Sequence, residues 1–246
     1  LGFLWSLLRP MFLLAVYYIA IGKFLGIPFP LFPIFLFCGL VAWTLFTDVL
    51  GGCTGSIVGN AGLIKKVYFP RELLPLSVVG AALVNFAMQL LVLVAAVLVF
   101  GGELHGQQPW LLPLALLALL PFMTACGLFL AAANVSFRDV EHLIEIVLLL
   151  WFWTTPIVYG VGGVLNRMHN SGLDWMARLY LANPMANVVI GFQQAVYGDY
   201  NDGTTQQTFQ GNIALRLVVV TAGSLVLLWL AQRFFSRAQG NFAQEL

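Results

Sequence analysis

The 246 residues carry 61% hydrophobic and only 9% charged side chains, with a net charge of +1. A soluble fold of this length has too little interior to hide so much apolar surface, and no global positive field is present to attract nucleic acid. What is left is a chain with lipid as its solvent and a function concerned with the membrane.

Six apolar runs are each close to the roughly 20 residues a helix needs to cross hydrocarbon. They lack the period-2 alternation of strands and are about twice as long as a barrel strand. An all-α membrane protein with six transmembrane helices is therefore predicted. The first run, 4–26, has Arg9 and Pro10 near one end and Lys23 near the other, both cations placed to snorkel. No small-residue cleavage site follows it, so it reads as a span and not as a secretory leader. The second run, 31–57, holds one acid, Asp48. A loop at 58–73 leads to the third run, 74–100, and the fourth follows at 110–133. The fifth covers 142–159 and the sixth 213–235.

Lys65, Lys66 and Arg71 lie between the second and third runs, Arg138 between the fourth and fifth, and Arg233 and Arg237 in the tail. With six spans all of these fall on one side. The other side has Arg167 and Arg178, with Lys23 and Arg216 at its boundary. This bias predicts that both termini are cytoplasmic.

In the loop, Gly59 and Asn60 end the second span. Leu63, Ile64, Val67, Tyr68 and Phe69 are apolar anchors interleaved with Lys65, Lys66 and Arg71. Pro70 occupies a favoured first-turn position for the next helix. The pattern predicts a short amphipathic helix at the membrane surface. An ordinary positive-inside loop and a docking element for a soluble partner both fit it.

The segment 160–212 falls on the outer side. Within it, Pro184 to Val196 reads as an apolar helix too short to cross, so a re-entrant or interfacial helix fits. Such backbone is tolerated at membrane depth only where protein or a water-filled cavity surrounds it. Pro156 and Pro184 mark the breaks through fixed φ and a missing N–H. The polar stretch 200–208 predicts an exposed turn.

Reactive groups do not converge. Cys38, Cys53 and Cys126 stand alone in apolar stretches and read as small buried hydrophobes, and His105, His142 and His169 are scattered. No nucleophile elbow, zincin, P-loop or Rossmann glycine pattern occurs, so no catalytic or metal-binding residue is assigned. Work against a gradient would need nucleotide hydrolysis on another chain. Asp48 and Glu145 are the ionisable groups inside runs, at roughly 2.5–3.5 kcal/mol each on insertion scales. Asp139, Glu141 and Glu145 form an acidic helix start that the helix dipole favours. A proton relay would want a chain of acids at mid-depth, which is missing. Trp151, Phe152 and Trp153 crowd the stretch before Thr154, Thr155 and Pro156, with Tyr159 just after; Trp43 sits in mid-span near Phe35, Phe37 and Phe46. Such rings belong to an interfacial belt, to packing, or to a path on which sugar faces stack.

Four stretches carry a resemblance: LGFLWSLLRP (Leu1 to Pro10), IKKVYFPRELLPLS (Ile64 to Ser77), NVSFRDVEHLIEI (Asn134 to Ile146), and TTPIVY (Thr154 to Tyr159) with LANPM (Leu181 to Met185). Together, in this order over nearly the full length, they resemble the transmembrane subunit of ABC-2 type polysaccharide exporters, the group that exports O-antigen, teichoic acid and related lipid-linked glycans. The resemblance implies a single transmembrane domain over 1–246, multi-pass in the bacterial plasma (inner) membrane. It implies two copies forming the channel, each docking one nucleotide-binding ATPase subunit. ATP and Mg would sit on that subunit, with no cofactor on this chain. By the same resemblance Lys65, Lys66, Val67, Phe69, Pro70 and Arg71 belong to a cytoplasmic coupling helix in the ATPase groove. Arg138 and Asp139 lie at the cytoplasmic mouth. Short re-entrant gate helices fall in 159–196, before the last span. Trp43, Trp151, Trp153, Pro156, Tyr159 and Pro184 are the channel and gate candidates. An amphipathic interface helix would precede Leu1. The ending Gln239 to Leu246 is similar to actinobacterial members associated with a lipid-linked galactan. The expected cargo is an undecaprenyl- or decaprenyl-linked polysaccharide. The alternatives are an ABC-2 permease for a drug or lipid, and a membrane-embedded glycan-processing enzyme built on Asp48, His142 and Glu145.

Overall fold

The computed structural model describes residues 32–67, 69–100, 108–197 and 211–240, with Phe242 and the isolated positions Leu8, Met11, Phe12, Ala15, Val16 and Ile19. Most of the expected first span, with Arg9 and Lys23, and also Tyr68, His105, the polar turn 200–208 and all of the ending after Gly240 except Phe242, lie outside the described residues.

The described residues form helices and no strand. They are α1 (Phe32–Ser56), α2 (Ala61–Ile64), α3 (Leu73–Phe100), α4 (Leu111–Ser136), α5 (Val140–Trp153), α6 (Val161–Asn170), α7 (Asp174–Ala182), α8 (Pro184–Val196) and α9 (Ile213–Ala238). Four of these, α1, α3, α4 and α9, are long and apolar enough to cross a membrane. At 25 to 28 residues they extend about 37–42 Å at 1.5 Å per residue, enough for hydrocarbon and part of the headgroup layers.

Helix α1 is the centre of the bundle. It packs against α3, α4, α5 and α8, and 78% of its most apolar window is buried, against 22% for α3 and 17% for α9. Small residues let the helices approach. A Cβ on Gly127 of α4 would stand 2.9 Å from Cys53 Sγ of α1, and one on Gly52 of α1 would stand 2.5 Å from Val78 Cγ1 of α3. This is the packing that substitutes for a hydrophobic drive in lipid. Aromatic rings fill the middle, where Phe46 of α1 stacks on Phe122 of α4 with centroids 5.7 Å apart.

Side-chain contacts define two ends. At one, Asn134 Nδ2 donates to the Thr54 carbonyl at 3.0 Å, joining the C-terminal ends of α1 and α4, and the α1–α3 loop meets the C-terminal end of α9. At the other, Gln193 Nε2 of α8 donates to the Pro156 carbonyl at 2.8 Å, and Phe35 of α1 lies edge-on to Tyr197. Lys65, Lys66, Arg71, Arg138, Arg233 and Arg237 all belong to the first end, as the charge bias requires for one face of a membrane.

Two elements differ from the sequence expectation. The fifth run, expected at 142–159, is the 14-residue helix α5, which ends at Trp153. Pro156 has no N–H to donate, and its ring would collide with the carbonyl of residue 152. The last turn instead tightens, with Thr154 and Thr155 donating to Leu150 and Phe152. The expected amphipathic helix in the loop is reduced to a 3-10 turn at Val58–Asn60 and the single turn α2. Phe69 precedes a proline and is thereby driven out of helical backbone. Pro70 leads a turn, in which Leu73 donates to the Pro70 carbonyl and Leu74 to that of Arg71, and α3 begins only at Leu73.

Candidate functional site: a basic loop, a polar cleft and an outer joint

The loop between α2 and α3 sorts the expected docking residues into two sets. Lys65, Lys66, Val67 and Pro70 are exposed. Phe69 and Arg71 are half-buried and turn inward. Phe69 packs against a cluster that includes Ile64, Phe235 and Phe242. Arg71 Nη1 donates to the Gln239 carbonyl, and its guanidinium lies 5.9 Å from the centroid of the Phe242 ring. Ser236 Oγ donates to Glu72 Oε1 at 3.1 Å. The loop and the residues after α9 border a cleft of about 730 Å³, lined by Ile64 to Val67, Phe69 to Glu72, and Gln239. Sequence reasoning missed Gln239 and Phe242. The available signal was one aromatic in the otherwise polar stretch Gln239 to Asn241 and Gln244 to Glu245.

Arg138 and Asp139 are exposed in the turn from α4 to α5, beside an exposed Phe137. Val140 donates to the Phe137 carbonyl at 3.0 Å and Leu143 to that of Asp139 at 3.1 Å, so this turn starts α5. Glu141, in the first turn of α5, reaches within 4.0 Å of the point where a Cβ on Gly55 would lie.

A cleft of about 540 Å³ runs between α1 and α5. Its walls are Trp43, Thr44, Thr47, Asp48, Gly51 and Gly52 from α1, with Glu145 and Leu148 from α5. The two acids that the sequence places on separate runs therefore share one space. Thr44 Oγ1 donates to the Leu40 carbonyl at 2.7 Å and Thr47 Oγ1 to that of Thr44 at 3.0 Å. Both hydroxyl protons are used inside the helix, so toward a ligand these groups act as acceptors. A Cβ at Gly51 would meet nothing within 4 Å. Trp43 is 8% exposed, held by Phe46 and Phe152 with only a strip facing the cleft. His142 does not line it.

All of the remaining gate candidates except Trp153 form a joint at the opposite end. Trp151 lies edge-on to Phe46 at 5.3 Å and to Phe122 at 6.1 Å, and its Nε1 donates to Asn183 Oδ1 at 3.0 Å. The same Asn183 oxygen accepts from the Met185 N–H at 3.0 Å and so caps α8, with Pro184 in the first turn. Asn187 Nδ2 donates to the carbonyls of Leu181 and Asn183. Tyr159 donates its hydroxyl proton to the Trp153 carbonyl at 2.8 Å, satisfying one of the acceptors left free at the end of α5, and Tyr180 donates to the Tyr159 oxygen at 3.4 Å. The break at Pro156 is thus pinned by Gln193 from α8. Trp151, Pro156, Tyr159 and Pro184 are parts of this joint, whereas Trp153 is 54% exposed on the outer face of α5. Among the described residues no three or more His, Cys, Asp or Glu side chains are grouped to hold a metal.

The described residues form a bundle of membrane-long helices with a polar cleft between α1 and α5, a hydrogen-bonded joint, and a basic loop at the end opposite that joint, the build of a multi-pass membrane protein. The chain belongs to the ABC-2 type transporter family, whose model matches residues 1–197, and it is a multi-pass protein of the bacterial inner membrane. Over its whole length it is 33% identical to the O-antigen export system permease protein RfbA of Myxococcus xanthus, covering 88% of that protein. It is 28% identical to a permease of the same name from Klebsiella pneumoniae, with 100% of this chain and 88% of that protein aligned. With the polysialic acid transport protein KpsM of Escherichia coli it shares 24% identity, over 81% of this chain and 75% of that one.

Proposed function

We propose that this chain is the permease subunit of an ATP-driven exporter that moves a lipid-linked polysaccharide, of the O-antigen or cell-wall galactan kind, across the plasma membrane. The observation that carries this reading is the cleft between α1 and α5. In a bundle with little charge it gathers a strip of the Trp43 ring, two hydroxyl acceptors, two carboxylates and the open backbone of Gly51 around one space. Neutral sugars present C–H faces for an aromatic ring and hydroxyl donors for acceptors. A hydrogen bond to a charged acceptor is worth about 1.5–3 kcal/mol, enough to hold a sugar in passing without trapping it. The likeness over the whole chain to an O-antigen permease supports the same cargo class.

In this reading two copies face each other and form the path, with six spans in each. The run 4–26 is the first span. Helix α5 together with the joint and α6 to α8 forms the outer gate, where α8 re-enters the membrane surrounded by α1, α4 and α9. Each copy docks one ATPase subunit through Lys65, Lys66, Val67 and Pro70. Arg138 and Asp139 stand at the cytoplasmic mouth. ATP and Mg belong to the partner.

The test is reconstitution of the permease with its ATPase in liposomes. Stimulation of ATP hydrolysis by a lipid-linked glycan, with glycan delivered to the far side, is the expected result. Stimulation by drugs or plain lipids but not by the glycan would assign a small-cargo permease instead. Glycan turnover by the permease alone would assign an enzyme.

A further inference from the structure

The docking loop does not hold its own shape. After the single turn of α2, Lys66 and Val67 donate to the Leu63 carbonyl, and among the described residues the next backbone bonds are those that start α3. Its support comes from about 165 residues further along the chain. Arg71 donates to the Gln239 carbonyl at the C-terminal cap of α9, the place where a cation is favoured by the helix dipole. The same guanidinium lies over Phe242, a cation–π arrangement. Phe242 is fully buried, edge-on to the buried Phe235 of α9 with centroids 5.5 Å apart. Ile64 and Phe69 of the loop join the same cluster, and Glu72 accepts from Ser236 of α9. Helix α9 in turn lies along α4 in the most extensive helix pairing of the bundle.

We infer that Gln239 and Phe242, which follow α9, latch the docking loop to the last spanning helix, with Arg71 and Phe242 as the positioning residues. Arg71 faces the protein's own tail, so the cations left to meet a partner in the loop are Lys65 and Lys66. A displacement imposed on those lysines reaches α9, and through it α4, because loop and helix move as one body. Without the latch the loop yields under the same push and the spanning helices stay where they are. This inference rests on the proposal that the loop receives an ATPase.

The latch is tested first on the permease alone, by hydrogen–deuterium exchange. Phe242→Ala, or removal of residues 241–246, is expected to speed exchange of the amides at 61–72 at least tenfold, and Phe242→Leu to restore most of the protection. Unchanged exchange in the loop would overturn the latch whatever the partner is. The second test uses the full complex with Glu72→Cys and Ser236→Cys joined by a short bifunctional thiol reagent. Export per ATP is expected to stay within about twofold of the uncrosslinked pair. Abolished export with continuing ATP hydrolysis would show that the loop must slide on α9 and would overturn the inference. Failure of the wild-type complex to export would instead remove the ATPase reading, while the exchange result still decides the latch.

Discussion

Replacement of Trp151 separates a structural joint from a sugar-stacking surface. The indole is embedded between Phe46 and Phe122 and bonded to the cap of α8. Trp151→Ala removes a half-buried ring packed on Phe46 and Phe122 together with the donor to Asn183, a combined cost near the low end of the about 3–5 kcal/mol of a fully buried ring. Trp151→Phe keeps a ring among its neighbours and loses the N–H, at about 1–2 kcal/mol. For a chain of this size each kcal/mol corresponds to roughly 2–4 °C in melting temperature, so the alanine variant should melt roughly 6–12 °C lower. Thermal unfolding of the purified permease in detergent, read from tryptophan fluorescence and by size exclusion, measures this directly. Trp153→Ala is the control. That ring is half exposed, so its loss should leave the melting temperature within about 2 °C, in line with a surface change of about 0.5 kcal/mol. An alanine variant at 151 that melts like the wild type but fails to pass glycan would refute the joint and return Trp151 to the pathway.

Other consequences follow from single sites. Gly127→Leu drives a side chain into Cys53, where even a Cβ stands 2.9 Å from Sγ, and should destabilise by about 1–3 kcal/mol or more; Gly51→Ala meets open space and should leave the melting temperature unchanged. Asp48→Asn with Glu145→Gln should raise the glycan concentration for half-maximal ATPase stimulation about tenfold or more, from the loss of charge-assisted bonds, and an unchanged value would take both carboxylates out of the path. Lys65→Glu with Lys66→Glu should abolish co-purification with the ATPase while bilayer insertion and melting temperature stay as in the wild type, because both side chains are exposed. Retained co-purification would move the docking surface elsewhere. Tyr159→Phe leaves the Trp153 carbonyl without its donor and should increase amide exchange through 154–160 by about fivefold, an effect of about 1 kcal/mol; protection equal to the wild type would show that this cap is idle.

What the chain alone determines is the part that depends on local composition. The runs read at 31–57, 74–100, 110–133 and 213–235 became helices Phe32–Ser56, Leu73–Phe100, Leu111–Ser136 and Ile213–Ala238, and the short helix Pro184–Val196 has the bounds that Pro184 and its apolar pattern predict. Hydrocarbon thickness and the absence of water fix length and helicity one segment at a time, and a proline announces its break in place. Which faces meet is a different matter. Helices α1 and α9 are both strongly apolar, yet most of the first and little of the second is buried within the protein. Lipid tails are as apolar as leucine, so no composition distinguishes a helix at the centre from one facing lipid. For the same reason the sequence leaves Asp48 apart from Glu145, leaves Trp151 open between belt, packing and path, and counts Arg71 among the docking residues. The first two readings change because residues about a hundred positions apart were packed around α1, and the third because a ring at position 242 was folded back beneath a loop at position 71.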